Sequence, residues 1–460
     1  YAHLKQFSSK INQIIKKIHY ERESYEIEYY PKKNKITINK GELIGLSGNS
    51  GSSSGPHLHF EIRETKSSKP INPLAFNFNI PDDIPPKLNK LKIYNMSAGK
   101  IIDEQIFNIN NNSINQDTLI IENFAIGIST YDKLNGSQNK NGVYSIRIFA
   151  DNILYYEFIA DKLDFNTTRF INAHIDYGEK KKNNIKFHKC FKASNNQLTN
   201  YKTLINNGII NISDNKPHVL RVEVGDFAGN ISELKFNFKS NDEKIKNHKE
   251  VTVKKKNFYP FTPNIFKESD FQIHMKSNSI YETLDFKYNT INSTKEIYGR
   301  IHQCHDKYTP VHKKYIISIK AEVPSHLKEK VYIAKKEKNK FFYQGGAWEN
   351  GYLRAKVREF GDFCIIADTI NPTIINKNIY NNTNLSNQKT IDFIIKDKES
   401  GIKNYRAEID GKWILMEYDH KKNLLRFNID DNISKGEHYF ILKVKDNVGN
   451  TANYEANFTY

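Results

Sequence analysis

Two phrases set the pattern of this chain. One, VEVGDFAGNISELKFNF, ends near residue 238, and the other, LKVKDNVGNTANYEANFTY, ends at Tyr460. In each, apolar and polar residues alternate, the run breaks at Asp-x-x-Gly-Asn, and the alternation resumes. That is the pattern of two half-buried strands joined by a turn. Asp226 and Asp446 can cap the turn with their side chains, and Gly229 and Gly449 can take the positive φ it needs. The turns lack the dense carboxylate series of an EF-hand, so they are read as hairpins and not as calcium loops. Two opening phrases match as well. IPDDIPPKLNKLKIY from Ile80 and IADTINPTIINKNIY from Ile366 each place an Asp three or four residues ahead of a Pro, then run into a β-pattern. Proline suits a linker feeding a first strand because it cannot serve in a central ladder.

These brackets resemble bacterial immunoglobulin-like modules over about half the chain, at residues 80–243 and 369–460. The first is much longer and is expected to carry insertions around residues 160–215. Between the modules, residues 251–368 contain YIISIKAEV, KVYIAKK, KFFYQGGAW and FGDFCIIAD, which predict a further β-rich domain without an assigned function. Ahead of them, residues 8–24 set Ile11, Ile14, Ile15 and Ile18 at helical spacing, with Ser8 or Ser9 as N-cap, predicting a helix packed on a sheet. ITINKGELIGLSG predicts two short strands about the Lys40-Gly41 turn; a Gly/Ser loop from Gly48 to Gly55, a strand HLHFEIR and a Pro-rich exit follow. A first domain ends near Phe78, and residues 1–79 form that unit.

Composition supports the β reading. The 460 residues are enough for three or four domains, and 28 Phe with 27 Tyr suit pleated, half-buried surfaces. A net charge of +17, from 69 basic and 52 acidic residues, favours anionic surroundings. The runs Lys180-Lys181-Lys182 and Lys254-Lys255-Lys256 are read as solvated loops, and no nucleic-acid-binding motif accompanies them. No stretch reaches the roughly 18 unbroken apolar residues of a membrane span. Of the three cysteines, Cys304 and Cys364 are the better candidates for a disulfide than either with Cys190, and buried free thiols are the alternative. The chain starts at Tyr1 without Met, so it is expected to be the later part of a longer protein.

The chemistry concentrates in GNSGSSSGPHLHFEIR, residues 48–63. Strand alternation would put His57, His59, Glu61 and Arg63 on one face and Leu58, Phe60 and Ile62 on the other, packed in the core. Two imidazoles at i and i+2 suit one metal site, as two ligands or as a ligand and its catalytic neighbour. Taken alone, His-x-His is more often structural. The Gly-rich loop lacks the Gly-Lys-Ser/Thr ending of a P-loop, and no His-Glu-x-x-His helix occurs. A second cluster, His302, Cys304, His305 and His312, fits no common zinc module and is read as a loop cluster.

IGLSGNSGSSSGPHLHFEIR followed by PINP resembles the closing signature of LytM/lysostaphin-like zinc endopeptidases, and YAHL resembles that family's Tyr-x-His-Leu strand. The insertion after YAHL resembles large multidomain homologues from Bacteroidetes. The expected fold class is therefore mainly β, a partial LytM-type peptidase domain followed by β-sandwich modules. The resemblance implies a Zn2+ cofactor with His59 as ligand, His57 as general base, and His3 orienting water or stabilising charge. The family's two other ligands come from a His-x-x-x-Asp motif, and none precedes residue 57, so these residues alone are expected to be inactive. The implied function is hydrolysis of peptide bonds in peptidoglycan, in the periplasm or outside the cell, with the β-modules binding wall or an envelope protein. The alternatives are a degenerate regulator of another wall hydrolase, or an adhesin or scaffold.

Overall fold

The structure is a computed structural model that describes residues 1–240, 255–292, 296–429 and 433–460. It is mainly β, built as β-sandwiches, with a small N-terminal part that carries the helix. Three pairs of sheets follow one another along the chain. The first pair is a six-stranded sheet, in the order Tyr201–Leu204, Ile153–Ile159, Ser145–Ala150, His218–Gly225, Ile231–Lys239 and Thr118–Ile120, facing a five-stranded sheet centred on Lys87–Ser97 and Asn123–Tyr131. Leu91, Ile93, Phe124, Ile148, Val222 and Phe236 fill the space between them. The second pair, six and five strands, encloses Phe258, Phe271, Ile317, Ile333 and Phe363. The last, four and five strands, encloses Ile391, Phe393, Phe440, Leu442 and Phe458.

The alternating phrases fold as expected. His218–Gly225 pairs antiparallel with Ile231–Lys239, and Glu437–Asp446 with Thr451–Thr459, so every second side chain enters the core. Both turns use the predicted glycine at positive φ, 99° at Gly229 and 90° at Gly449. A side chain at either position would meet the conformational penalty that glycine escapes.

The N-terminal part departs from expectation in several places. The helix is there, Ser9–Arg22, but Ser8 makes no side-chain cap and only Ile18 is buried. ITIN is not a strand; the one strand in that stretch is Gly45–Ser47, among the described residues, and it pairs with Leu4–Phe7. HLHFEIR is not continuous either. His57 and His59 make isolated bridges to Gly48 and Ala2, and a strand resumes at Ile62–Arg63. Its neighbours are too short to extend the ladder. The expected apolar face is only partly covered: Leu58 is 62% and Phe60 39% exposed, although the Phe60 ring meets Tyr1 at 5.4 Å and Phe78 at 6.0 Å.

Other differences follow from packing. Lys180, Lys181 and Lys182 end a helix, Tyr177–Asn183, whose N-terminus is capped by the Asp176 side chain, so that run is not a loop. Lys181 lies 3.7 Å from Glu359 and Lys182 faces the ring of Tyr308. In the second run, Lys255 and Lys256 begin strand Lys255–Phe258, and Lys254 lies outside the described residues. The three cysteines are free and buried. Cys304 pairs across its ladder with Gly361, three residues from Cys364, and that odd offset turns the two thiols to opposite faces. They pack in separate clusters, so the disulfide alternative is corrected.

The loop after the helix docks on the last sandwich. Tyr25 lies 4.4 Å from Tyr405 and 4.9 Å from Trp413 between ring centroids, Tyr20 meets Trp413 edge-on at 5.4 Å, and Arg406 pairs with Glu23 at 2.9 Å. Aromatic pairs of this kind contribute about 0.5–1.5 kcal/mol each beyond area burial. Tyr25→Ala is expected to speed amide hydrogen exchange of residues 19–28 while leaving strand Glu437–Asp446 protected. Unchanged exchange in residues 19–28 would show that the aromatic contact does not hold the loop.

Candidate metal centre

Three segments bring His3, His57 and His59 together. Ala2 donates its N–H to the His59 carbonyl at 3.2 Å, and His57 donates to Gly48 at 3.1 Å, so the first residues and the His-x-His segment flank the Gly45–Ser47 strand. Gly48 is required at that crossing, because a Cβ there would lie 2.5 Å from the Lys5 nitrogen. The loop that follows is tied down by Lys421 of the last sandwich, which donates to the Asn49 carbonyl at 2.6 Å. The rings of His3 and His57 lie 5.0 Å apart, those of His3 and His59 5.5 Å, and those of His57 and His59 6.5 Å, centroid to centroid. One nitrogen from each lies within 4.8 Å of the other two.

Their hydrogen bonds decide which nitrogens are free. His3 Nδ1 faces the Ser50 carbonyl at 2.7 Å, and His57 Nδ1 faces the Gly55 carbonyl at 2.8 Å. A carbonyl only accepts, so each Nδ1 carries the proton and the Nε2 of the neutral ring carries the lone pair. His57 Nδ1 also meets Ser53 Oγ at 3.1 Å, and Ser53 donates to Gly55 O at 2.7 Å. His59 is turned the other way. Its Nε2 donates to Glu61 Oε1 at 3.1 Å, which leaves Nδ1 with the lone pair. All three rings are thus fixed by an outer partner, the arrangement that orients metal-ligating imidazoles. His3 holds this place with φ at 57°, an uncommon backbone region for a residue with a side chain.

Glu61 is itself held. Burial raises its carboxyl pKa, but hydrogen bonds and charges from Arg63 and His59 outweigh that and keep it below the usual value. Arg63 Nε donates to Glu61 Oε2 at 2.7 Å. The expected alternation of His57, His59, Glu61 and Arg63 on one face thus survives as contacts although the strand does not. The orienting roles of Ser50, Ser53 and Gly55 were missed, since a Gly/Ser run reads only as a loop.

The second histidine cluster is dispersed. His302 is buried, stacked on Phe271 at 4.6 Å, bonded through Nδ1 to Tyr288, and pushed down to about 4 chiefly by burial. His305 bonds Thr309 at 3.0 Å, while His312 stacks on Phe170 at 4.0 Å. Among the described residues, these and Cys304 form no common metal group.

Residues 23–73 match peptidase family M23, and residues 255–368 match a Zu5-like domain. The first match includes His57 and His59 and supports a LytM-like segment, and a peptidase in general. No curated protein matches the chain significantly. Among solved structures, extracellular domains 3–5 of Drosophila OTK are 9% identical, with 75% of this chain and 95% of that one covered at a TM-score of 0.16. SGBP-B of the Bacteroides ovatus mixed-linkage glucan utilization locus is 11% identical, with 82% and 70% covered at a TM-score of 0.13. Protocadherin gamma B2 extracellular cadherin domains 1–5 are 10% identical, with 94% and 71% covered at 0.17. Likenesses this weak support no statement about the chain.

The Glu61 contacts give a pH signature. Their stabilising contribution is present above the unfolded carboxylate value of about 4.3 and fades as pH falls through the lowered folded value. An NMR titration is expected to place the Glu61 midpoint below about 4.3, and Arg63→Ala to move it upward.

Proposed function

We propose that the segment bearing His3, His57 and His59 belongs to a zinc metalloendopeptidase that hydrolyses peptide bonds of bacterial peptidoglycan in the periplasm or outside the cell. The observation that carries this reading is the convergence of His3, His57 and His59, one nitrogen of each within 4.8 Å of the other two, with each ring held by a partner outside the group. A set of imidazole nitrogens with carboxylate and carbonyl outer partners fits zinc. His59 would hold the ion through Nδ1, and the family's His-x-x-x-Asp motif would supply further ligands. Zinc bound there would lower the pKa of a water toward about 7 and polarise the scissile carbonyl.

The rest falls to the protein's own residues. His57 Nε2 has the lone pair to accept a proton from the attacking water, and the Gly55 carbonyl stabilises the cation that forms by accepting from Nδ1–H. His3, held by Ser50, can orient the water or donate to the oxyanion once protonated. Glu61 keeps His59 in one tautomer. The trailing β-sandwiches would bind wall polymer or an envelope protein, and the net charge of +17 favours an anionic surface.

Hydrolysis of purified peptidoglycan by the natural full-length protein, with and without chelator, tests the reading. His57→Ala is expected to lower kcat by about 10²–10⁴ with zinc content retained. His59→Ala is expected to lose zinc. Zinc-independent cleavage, or full activity in both variants, would overturn the proposal.

A further inference from the structure

The hairpin turns marked by the alternating phrases are also where carboxylates collect. Asp82 comes from the linker ahead of strand Lys87–Ser97, Asp132 follows strand Asn123–Tyr131, and Asp226 follows strand His218–Gly225. One carboxylate oxygen of each lies within 4.8 Å of the other two. Three segments distant in sequence thus meet at one end of the sandwich, beside the connection to the N-terminal part. Asp132 and Asp226 are each only 5% exposed.

Most of these oxygens are already bonded. Asp226 Oδ1 accepts from the Gly229 and Asn230 N–H groups at 2.8 and 2.9 Å, and its Oδ2 accepts from Asn230 Nδ2 at 2.8 Å. Asp82 Oδ1 accepts from the Ile84 N–H at 3.3 Å. Asp132 differs, because its Oδ1 is buried without a hydrogen-bond partner. Burial pushes this carboxyl up to about 6 despite a hydrogen bond from the Lys133 N–H, and the charges of Asp226 and Asp82 add to the rise. The two charged groups that raise it, Asp226 and Asp82, are both carboxylates.

The last sandwich repeats the arrangement with a different outcome. Asp368, Asp397 and Asp446 also converge within 4.8 Å. Asn450 Nδ2 bridges Asp446 Oδ2 at 2.7 Å and the Asp368 carbonyl at 3.0 Å, as Asn230 Nδ2 bridges Asp226 and the Asp82 carbonyl at 3.1 Å. There, however, Ser400 donates through N–H and Oγ to Asp368 Oδ2 at 3.2 and 2.6 Å, and the Gly401 N–H donates to Asp397 Oδ1 at 2.7 Å. Protein donors thus serve buried acceptors at that junction. The orphaned Asp132 oxygen has no such donor.

We propose that Asp82, Asp132 and Asp226 form a binding site for a hard divalent cation of the calcium class, which closes the junction between the histidine-bearing N-terminal part and the first sandwich. Such ions take carboxylate and carbonyl oxygens and complete their shell with water, which matches a donor set without nitrogen or sulfur. The ion supplies the positive charge that the triad lacks and satisfies the Asp132 oxygen. Because Asp82 belongs to the linker, the bound cation ties that linker to the strands behind it. This inference is independent of the peptidase reading.

Isothermal titration of the full chain with calcium chloride tests it, with Asp132→Asn, Asp82→Asn and Asp397→Asn as variants. The wild type is expected to bind with a Kd of about 10⁻⁴–10⁻³ M, the range of extracellular modules. Asp132→Asn and Asp82→Asn should each weaken binding at least about tenfold, and Asp397→Asn should leave it unchanged. Asp82 lies in the linker, so its variant keeps the test valid if Asp132→Asn fails to fold. No calcium binding by the wild type, or binding that Asp397→Asn removes and Asp82→Asn does not, overturns the assignment.

Discussion

A buried acceptor must find a donor, and much of this molecule is arranged around that constraint. Asp446 is fully buried where strand Glu437–Asp446 ends, and it holds the turn by accepting from Val448, Asn450 and the Asn450 side chain. Hydrogen bonds to a charged group contribute about 1.5–3 kcal/mol each, so this one carboxylate fixes the hairpin firmly. Asn450 then reaches the carbonyl of Asp368 and carries the constraint into the linker. Asp226 and Asn230 do the same for the first sandwich. Each repeated phrase is therefore a strand pair and also a clasp on the segment leading into its module.

The same accounting explains the histidine group. An imidazole has two nitrogens and, when neutral, one proton, so the partner of one nitrogen dictates the chemistry of the other. Backbone carbonyls of the Gly/Ser loop fix His3 and His57, while a carboxylate held by Arg63 fixes His59. The loop can do this because it is anchored, at Gly48 by close backbone approach and at Asn49 by Lys421. The last sandwich thus touches the histidine-bearing part at the Gly/Ser loop through Lys421, and at Tyr20, Glu23 and Tyr25 through Trp413, Arg406 and Tyr405.

Much of this was legible in the sequence. Alternation in ISELKFNFK and in the closing strands gave the hairpins, because side-chain direction in a strand follows position alone. The isoleucines of residues 8–24 gave the helix, though not its partner. HLHFEIR misled: its alternation is real, but a strand also needs a neighbour to pair with, and here the neighbours end after a few residues. Cys304 and Cys364 misled similarly, since sharing a domain does not decide which face of a sheet a thiol takes.

The sequence by itself determined the two repeated hairpins and their turns, the N-terminal helix, and which histidines are available for chemistry. These are local properties, set by residue type and by spacings of two or four. Tertiary structure alone decided which distant groups meet. Asp82, Asp132 and Asp226 look unremarkable where they stand, and an Asp-x-x-Gly-Asn turn reads as a hairpin and nothing more. Only when the linker, one strand end and one turn are packed at the same end of a sandwich do their carboxylates share a space. Whether that space already contains a donor, as Ser400 provides for Asp368, or leaves an oxygen unpaired, as at Asp132, is settled by packing between residues far apart in the chain.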